Sequence, residues 1–187
     1  MPDLNFSQPE RSRLLVPILI AMAVMLLIGG LVLAFLPHRT AEIAVTHVAV
    51  LPTHTSLTTG SRVVGSTTEI EDNLYVLATV RIKDNLSMPL FIKDLTGSMT
   101  SADDADQTSS AVEKDDLNAV YTAFPALKPM SGPPLLREIR IPPGGSAEGM
   151  VLLQFKATDA DWKQRKAASI TIAFYHQDPM TVEIPKP

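Results

Sequence analysis

Acidic side chains are the densest store of potential chemistry in this chain. Between Ser101 and Asp116 stand Asp103, Asp104, Asp106, Glu113, Asp115 and Asp116. Asp104-x-Asp106-x-Thr108, with Asp115 in the twelfth position, repeats the oxygen-ligand spacing of a calcium loop. Two departures weaken the match. Ser109 stands where the sharp turn requires glycine, and the last ligand is aspartate instead of a bidentate glutamate. Asp104, Asp106 and Asp115 are therefore weak metal candidates, and a solvated, self-repelling loop tip is the plainer reading.

Other constellations give less. Lys163, Arg165 and Lys166 form the one basic cluster, on a short helical pattern whose polar face such charges usually solvate. They could also meet anionic headgroups, because the tether to the apolar segment described below is short. His38, His47, His54 and His176 are scattered, with no HxxxH or HxH pair to set two imidazoles on one face. His176 is expected to close the core face of the last long strand. Gly144 to Gly149 (GGSAEG) imitates a nucleophile elbow, but its closing glycine comes one residue late and it joins strand to strand. With no cysteine there is no thiolate metal site, cysteine nucleophile or disulfide. No enzyme can be assembled from these spacings and no cofactor is expected. Asp103, Asp104, Asp106, Glu113, Asp116, Lys163, Arg165 and Lys166 remain as candidates for contact with a partner.

The elements that position these residues divide the 187-residue chain in two. Leu14 to Leu36 is a run of 23 residues without a charge, 20 of them hydrophobic. As a helix it would measure roughly 34 Å, enough for a hydrocarbon core of about 30 Å. Pro17 falls in its first turn, where a missing N–H costs little. A cleaved signal is the rival reading, because Val32-Leu33-Ala34 offers small residues at cleavage spacing. The run exceeds the usual apolar core of a signal, about 7–15 residues, so it is read as a signal-anchor in the lipid bilayer of the inner (cell) membrane. Arg11, Arg13 and the terminal amine precede it, against Arg39 and a mostly neutral His38 after it. That imbalance puts residues 1–13 in the cytoplasm and the remainder in the periplasm or cell exterior.

After a linker at 37–41, residues 42–187 carry strand chemistry. Ile43 to Leu51 is Val- and Ala-rich, and Pro52 to Asn73 is a Thr/Ser/Gly-rich loop with a brief edge strand at Val63-Val64. In LYVLATVRIKD, Leu74, Val76, Ala78, Val80 and Ile82 alternate toward a core while Arg81 and Lys83 face water. Asp84-Asn85 makes a turn into a partner strand from Pro89 to about Thr100. Leu117, Val120, Tyr121 and Phe124 recur at helical spacing behind Asp115 or Asp116 as cap. Leu135–Ile141 and Ala147–Phe155 are strands joined around Pro142-Pro143-Gly144-Gly145. Thr158 and Asp161 stand in capping-box spacing before a helix that Trp162 would fold inward. Ile170, Ile172 and Phe174 share one face, and Thr181 to Ile184 ends the chain's last strand. About seven short strands, one or two helical insertions and no βαβ rhythm indicate a mainly β domain, an antiparallel sandwich.

NLYVLATVRIKDNLSMPLFIKDL, RIPPGGSAEGMVLLQF and the aromatic final hairpin, following an apolar anchor, carry a resemblance. The region from 42 to 187 resembles extracytoplasmic immunoglobulin-like domains of the late-embryogenesis-abundant type-2 (water-stress) kind and bacterial relatives of uncharacterised function. The resemblance implies an immunoglobulin-like sandwich used for structure or binding, and carries no catalytic residues. The 16 basic residues less Arg11 and Arg13 leave 14 after Leu36, against 18 acidic, which disfavours nucleic acid as a partner. The expected function is a single-pass membrane protein presenting its domain to a protein partner in the cell envelope. A periplasmic ligand- or ion-binding sensor, with the acidic loop 103–116 as its site, is the alternative.

Overall fold

A computed structural model describes residues 12–35, 40–59 and 67–186. The chain forms two compact units, Met1–His38 and Arg39–Pro187. Most of the expected tail (1–13) and linker (37–41), and the edge strand expected at Val63-Val64, lie outside the described residues.

The first unit holds α1, Ser12–Phe35, with Pro17 in its second turn. Its side chains are described from 16 to 32, and every one is exposed, from Val24 at 50% to Met25 at 78% among the large apolar ones. That stretch of 17 residues measures about 26 Å. Among the described residues, no helix is long and apolar enough to cross a membrane.

The second unit is mainly β. Its elements are β1 (Ala41–Thr59), β2 (Thr67–Asp84), β3 (Leu90–Thr100), β4 (Asp106–Ser110), α2 (Lys114–Ala123), β5 (Arg140–Ile141), β6 (Ser146–Phe155), α3 (Asp159–Gln164), β7 (Ala167–Phe174) and β8 (Gln177–Glu183). One sheet has the order β1-β2-β6; the other runs β4-β3-β7-β8, with β5 also on β3. Every pairing between named strands is antiparallel.

The two sheets share one core. Leu74, Val76, Ala78, Val80 and Ile82 from β2, with Val151, Leu153 and Phe155 from β6, meet Leu90, Ile92, Leu95 and Met99 from β3 and Ile170, Ile172 and Phe174 from β7. Period-two patterning delivers this face directly. The opposite face of β2 and β6 is also buried: Tyr75, Leu77, Met150 and Leu152 pack with Leu117 of α2 and Leu127. Tyr75 and Phe124 bring their ring centroids to 4.9 Å. The three-stranded sheet is thus covered on both sides over its central residues.

Several expectations change. Residues 52–59 and 67–73 are strand, not loop: β1 and β2 pair continuously from Ala41↔Asp84 to Thr59↔Thr67. Because β2 pairs with β6 only from Leu74 onward, the rest of this hairpin stands out as a two-stranded arm. Pro52 is tolerated because β1 is an edge strand and its outer side needs no donor. β3 is not the partner of β2. The connection at 85–89 crosses to the other sheet, as does Pro142–Gly145 between β5 and β6. The α2 N-cap is Glu113, while Asp115 and Asp116 fall in the first turn, where the helix dipole favours them. His176 is exposed in the turn after β7 at φ 62°, not on the core face.

Candidate functional site

Charged side chains gather at one end of the second unit, the end where β3 finishes and β7 begins. Ser101 to Ala105 make the turn between β3 and β4, with Asp104 in the left-handed region at φ 67°. The Ser101 N–H donates to the Ala105 carbonyl (2.9 Å), which closes the turn. Thr100 Oγ1 donates to Asp106 Oδ1 at 2.7 Å. Beside this turn α3 ends. Its capping box is complete: the Asp161 N–H donates to Thr158 Oγ1 (3.2 Å) and the Thr158 N–H to Asp161 Oδ2 (2.9 Å). Those Thr158 donors, the backbone N–H first, hold the Asp161 carboxyl below the usual carboxylate range. Lys163 Nζ reaches Asp159 Oδ2 at 2.6 Å one turn away, and Lys166 Nζ reaches Asp104 Oδ1 at 2.5 Å. The Lys166 N–H also donates to the Thr100 carbonyl at 2.9 Å.

Asp104 and Lys166, both expected as contact residues, therefore meet, one from each half of the candidate set. The acidic segment itself does not act as one cluster. β4 runs extended between Asp106 and Ser110, so Asp103, Asp104 and Asp106 are separated from Glu113, Asp115 and Asp116 by a strand instead of being wrapped about one point. Asp104, Asp106 and Asp115 are not drawn together as a calcium loop would require. Among the described residues, no group of three acidic or histidine side chains could hold a metal ion.

Arg165 is a correction. It is 0% exposed and faces inward, because α3 stops at Gln164 and the next residue turns into β7. Its guanidinium carbon lies 3.7 Å from the centroid of the Trp162 ring. Nη1 donates to the Trp162 carbonyl (2.7 Å), and Nη2 to the carbonyls of Pro185 (2.8 Å) and Ile184 (3.5 Å). Burial draws its pKa below the ordinary guanidinium value. It is no surface contact; it fastens the segment after β8 to α3.

Two features escaped the sequence. Arg137 bridges Glu113 (2.6 Å) and Asp94 (2.9 Å), residues on distant segments, so no local spacing could disclose it. An open depression of about 370 Å³ lies along β1 at Val45, His47, Val48 and Val50, opposite Trp162 and Lys163. The exposed arm carries further pairs, His54 with Asp72, and Lys156 with Glu71 at 3.0 Å.

No protein-family model matches the chain, and no curated protein matches it. Two solved structures are similar. One is a functionally unknown protein from Listeria monocytogenes EGD-e, at TM-score 0.43 and 10% identity over 80% of this chain and 79% of that one. The other is a Northeast Structural Genomics Consortium target, at TM-score 0.34 and 8% identity over 79% of this chain and 83% of that one.

Proposed function

We propose that this is a single-pass membrane protein whose domain, an immunoglobulin-like sandwich on the outer side of the membrane, serves as a structural or protein-interaction module. The observation that carries the reading is α1. Apolar side chains surround it on all sides from 16 to 32, and a helix apolar all round belongs either inside a large core or in lipid. The whole element is 24 residues, about 36 Å, and its uncharged run begins directly after Arg13. Strand order supports the immunoglobulin-like part. β1-β2-β6 faces β4-β3-β7-β8, and the chain passes between the sheets at β2→β3 and β6→β7, as Greek-key sandwiches do. The late-embryogenesis-abundant type-2 resemblance points the same way. Binding, not catalysis, is the natural use of charged groups that pair along the surface, Asp104 with Lys166 and Glu113 with Arg137.

The absence of cysteine makes the test direct. A single cysteine at Ser7 and, separately, at Thr108 is probed in intact cells with a membrane-impermeant maleimide. Ser7→Cys should stay unlabelled until the membrane is breached, and Thr108→Cys should label at once. Equal labelling of both, or recovery of the protein in the soluble fraction, removes the reading.

A further inference from the structure

Among the described residues outside α1, the exposed large apolar side chains are Met88 (55%), Phe91 (39%) and Tyr175 (42%). All three lie at one end of the domain, opposite the charged turn of Asp103 and Asp104. Ile92 pairs with Phe174, and the Tyr175 N–H donates to the Phe91 carbonyl at 3.0 Å, so Phe91 and Tyr175 are cross-strand neighbours. Arg140 pairs with Phe91 from the other side. Leu90 and Ile92 point into the core, so Phe91 and its neighbours stand on the outer face, in the row Arg140–Phe91–Tyr175. Met88 lies in the connection from β2 to β3, two residues before Leu90, and that connection opens on a local turn in which the Leu86 N–H donates to Asp84 Oδ1 at 2.8 Å. Exposed Pro142 and Pro143 and the exposed charges Lys83, Arg140 and Glu42 complete that end.

This is also the end at which the domain chain begins. Ala41 pairs with Asp84, and the Asn85 N–H donates to the Thr40 carbonyl at 3.2 Å, in the same connection that carries Met88. Five residue steps separate Phe35, the last residue of α1, from Thr40, and a chain of that length spans at most about 18 Å. Aromatic, methionine and arginine side chains at that range suit the headgroup layer, where amphipathic rings and long cationic stems both find their preferred surroundings.

We propose that Met88, Phe91 and Tyr175 form a membrane-contact face that seats this end of the domain in the headgroup layer of its own bilayer. The proposal rests on the membrane-spanning reading of α1. It assigns lipid contact to the apolar end and not to Lys163, Arg165 and Lys166. Those residues stand at the other end, where Lys166 bonds Thr100 at the finish of β3.

The test uses the full chain in vesicles of phosphatidylethanolamine and phosphatidylglycerol, with a fluorophore on one cysteine at a time. Ser87→Cys and Pro143→Cys report the face, Thr108→Cys the opposite end, and Met25→Cys the helix. The expected result is loss of iodide quenching at positions 87 and 143, together with quenching by a lipid spin-labelled near its headgroup. Iodide should quench position 108 fully. Adding Phe91→Ser and Tyr175→Ser should return iodide access to position 87. If position 25 is lipid-quenched while 87 and 143 are as open to iodide as 108, the face is wrong and the anchor stands. Shielding from iodide without lipid quenching assigns the face to a protein and overturns the proposal. If position 25 is itself open to iodide, the anchor fails and the face with it.

Discussion

The guanidinium of Arg165 is buried, where the basic triplet of the sequence leads one to expect a solvated charge. A cation taken out of water is costly, and among the described residues no carboxylate pairs with it; the Trp162 ring and three carbonyls offset the cost. Arg165→Ala should lower unfolding free energy by about 2–4 kcal/mol, through the cavity and the orphaned carbonyls, read as a lower denaturant midpoint at unchanged slope. Arg165→Met, which keeps the stem volume against Trp162, should lose less. The basic triplet hid this role because charge pattern alone does not say where a helix ends. The capping box, by contrast, was legible, since Thr158 and Asp161 are three residues apart and need nothing from the rest of the fold. Its pH dependence follows from sign. Asp161 has a lowered pKa when folded, so its contribution is present above the ordinary aspartate value of 3.8 and fades as pH falls through the lower folded value. Thermal melts from about pH 6 to about pH 3 should show Asp161→Asn with a shallower acid loss than the native chain.

At the level of elements, the two sheets protect their edges differently. β6 is an edge strand, yet its outer side is occupied. The Gln107 side chain donates to the Lys156 carbonyl and accepts from the Lys156 N–H (both 3.0 Å), and the Gln154 N–H donates to Ser109 Oγ. The Val112 N–H donates to the Leu152 carbonyl at 2.9 Å, and Pro133 and Leu135 bond both sides of Met150. Polar residues of β4 thus stand in for a missing strand partner, the kind of edge cover that prevents unwanted pairing. Close approach by Leu135 depends on Gly149, where a Cβ would come within 2.6 Å of the Leu135 nitrogen. Gly149→Ala should cost about 1–3 kcal/mol and raise hydrogen exchange at the Leu135 and Met150 amides; native-like exchange there defeats the explanation. Strands with one buried face, such as β7 with Ile170, Ile172 and Phe174, could be read from alternation. The arm could not, because Thr and Ser from 53 to 59 carry no alternation and gain their pairing from β2. The crossing from β2 to β3 was equally hidden, since a five-residue connection serves a hairpin or a change of sheet.

Taken whole, the domain has two unlike ends, one with Met88, Phe91 and Tyr175, the other with the Asp104–Lys166 pair and the arm beyond it. The cysteine-labelling and quenching experiments address that polarity from both sides, the first through which side of the membrane Thr108 occupies, the second through what surrounds Ser87. The sequence made the division between α1 and the β domain plain, because a charge-free run and period-two strands have different physical causes. Which end of the domain follows α1 depends on strand register, which composition does not encode.

β1 joins these ends without interruption. Its 19 residues cover about 60 Å, from Ala41 to the arm at Thr59, with one bulge between Val45 and His47. Tension applied between those two points runs along a single covalent backbone that is already extended. It neither unzips nor shears the hydrogen bonds to β2, so a partner gripping the arm could pull on the start of the domain and leave the core intact.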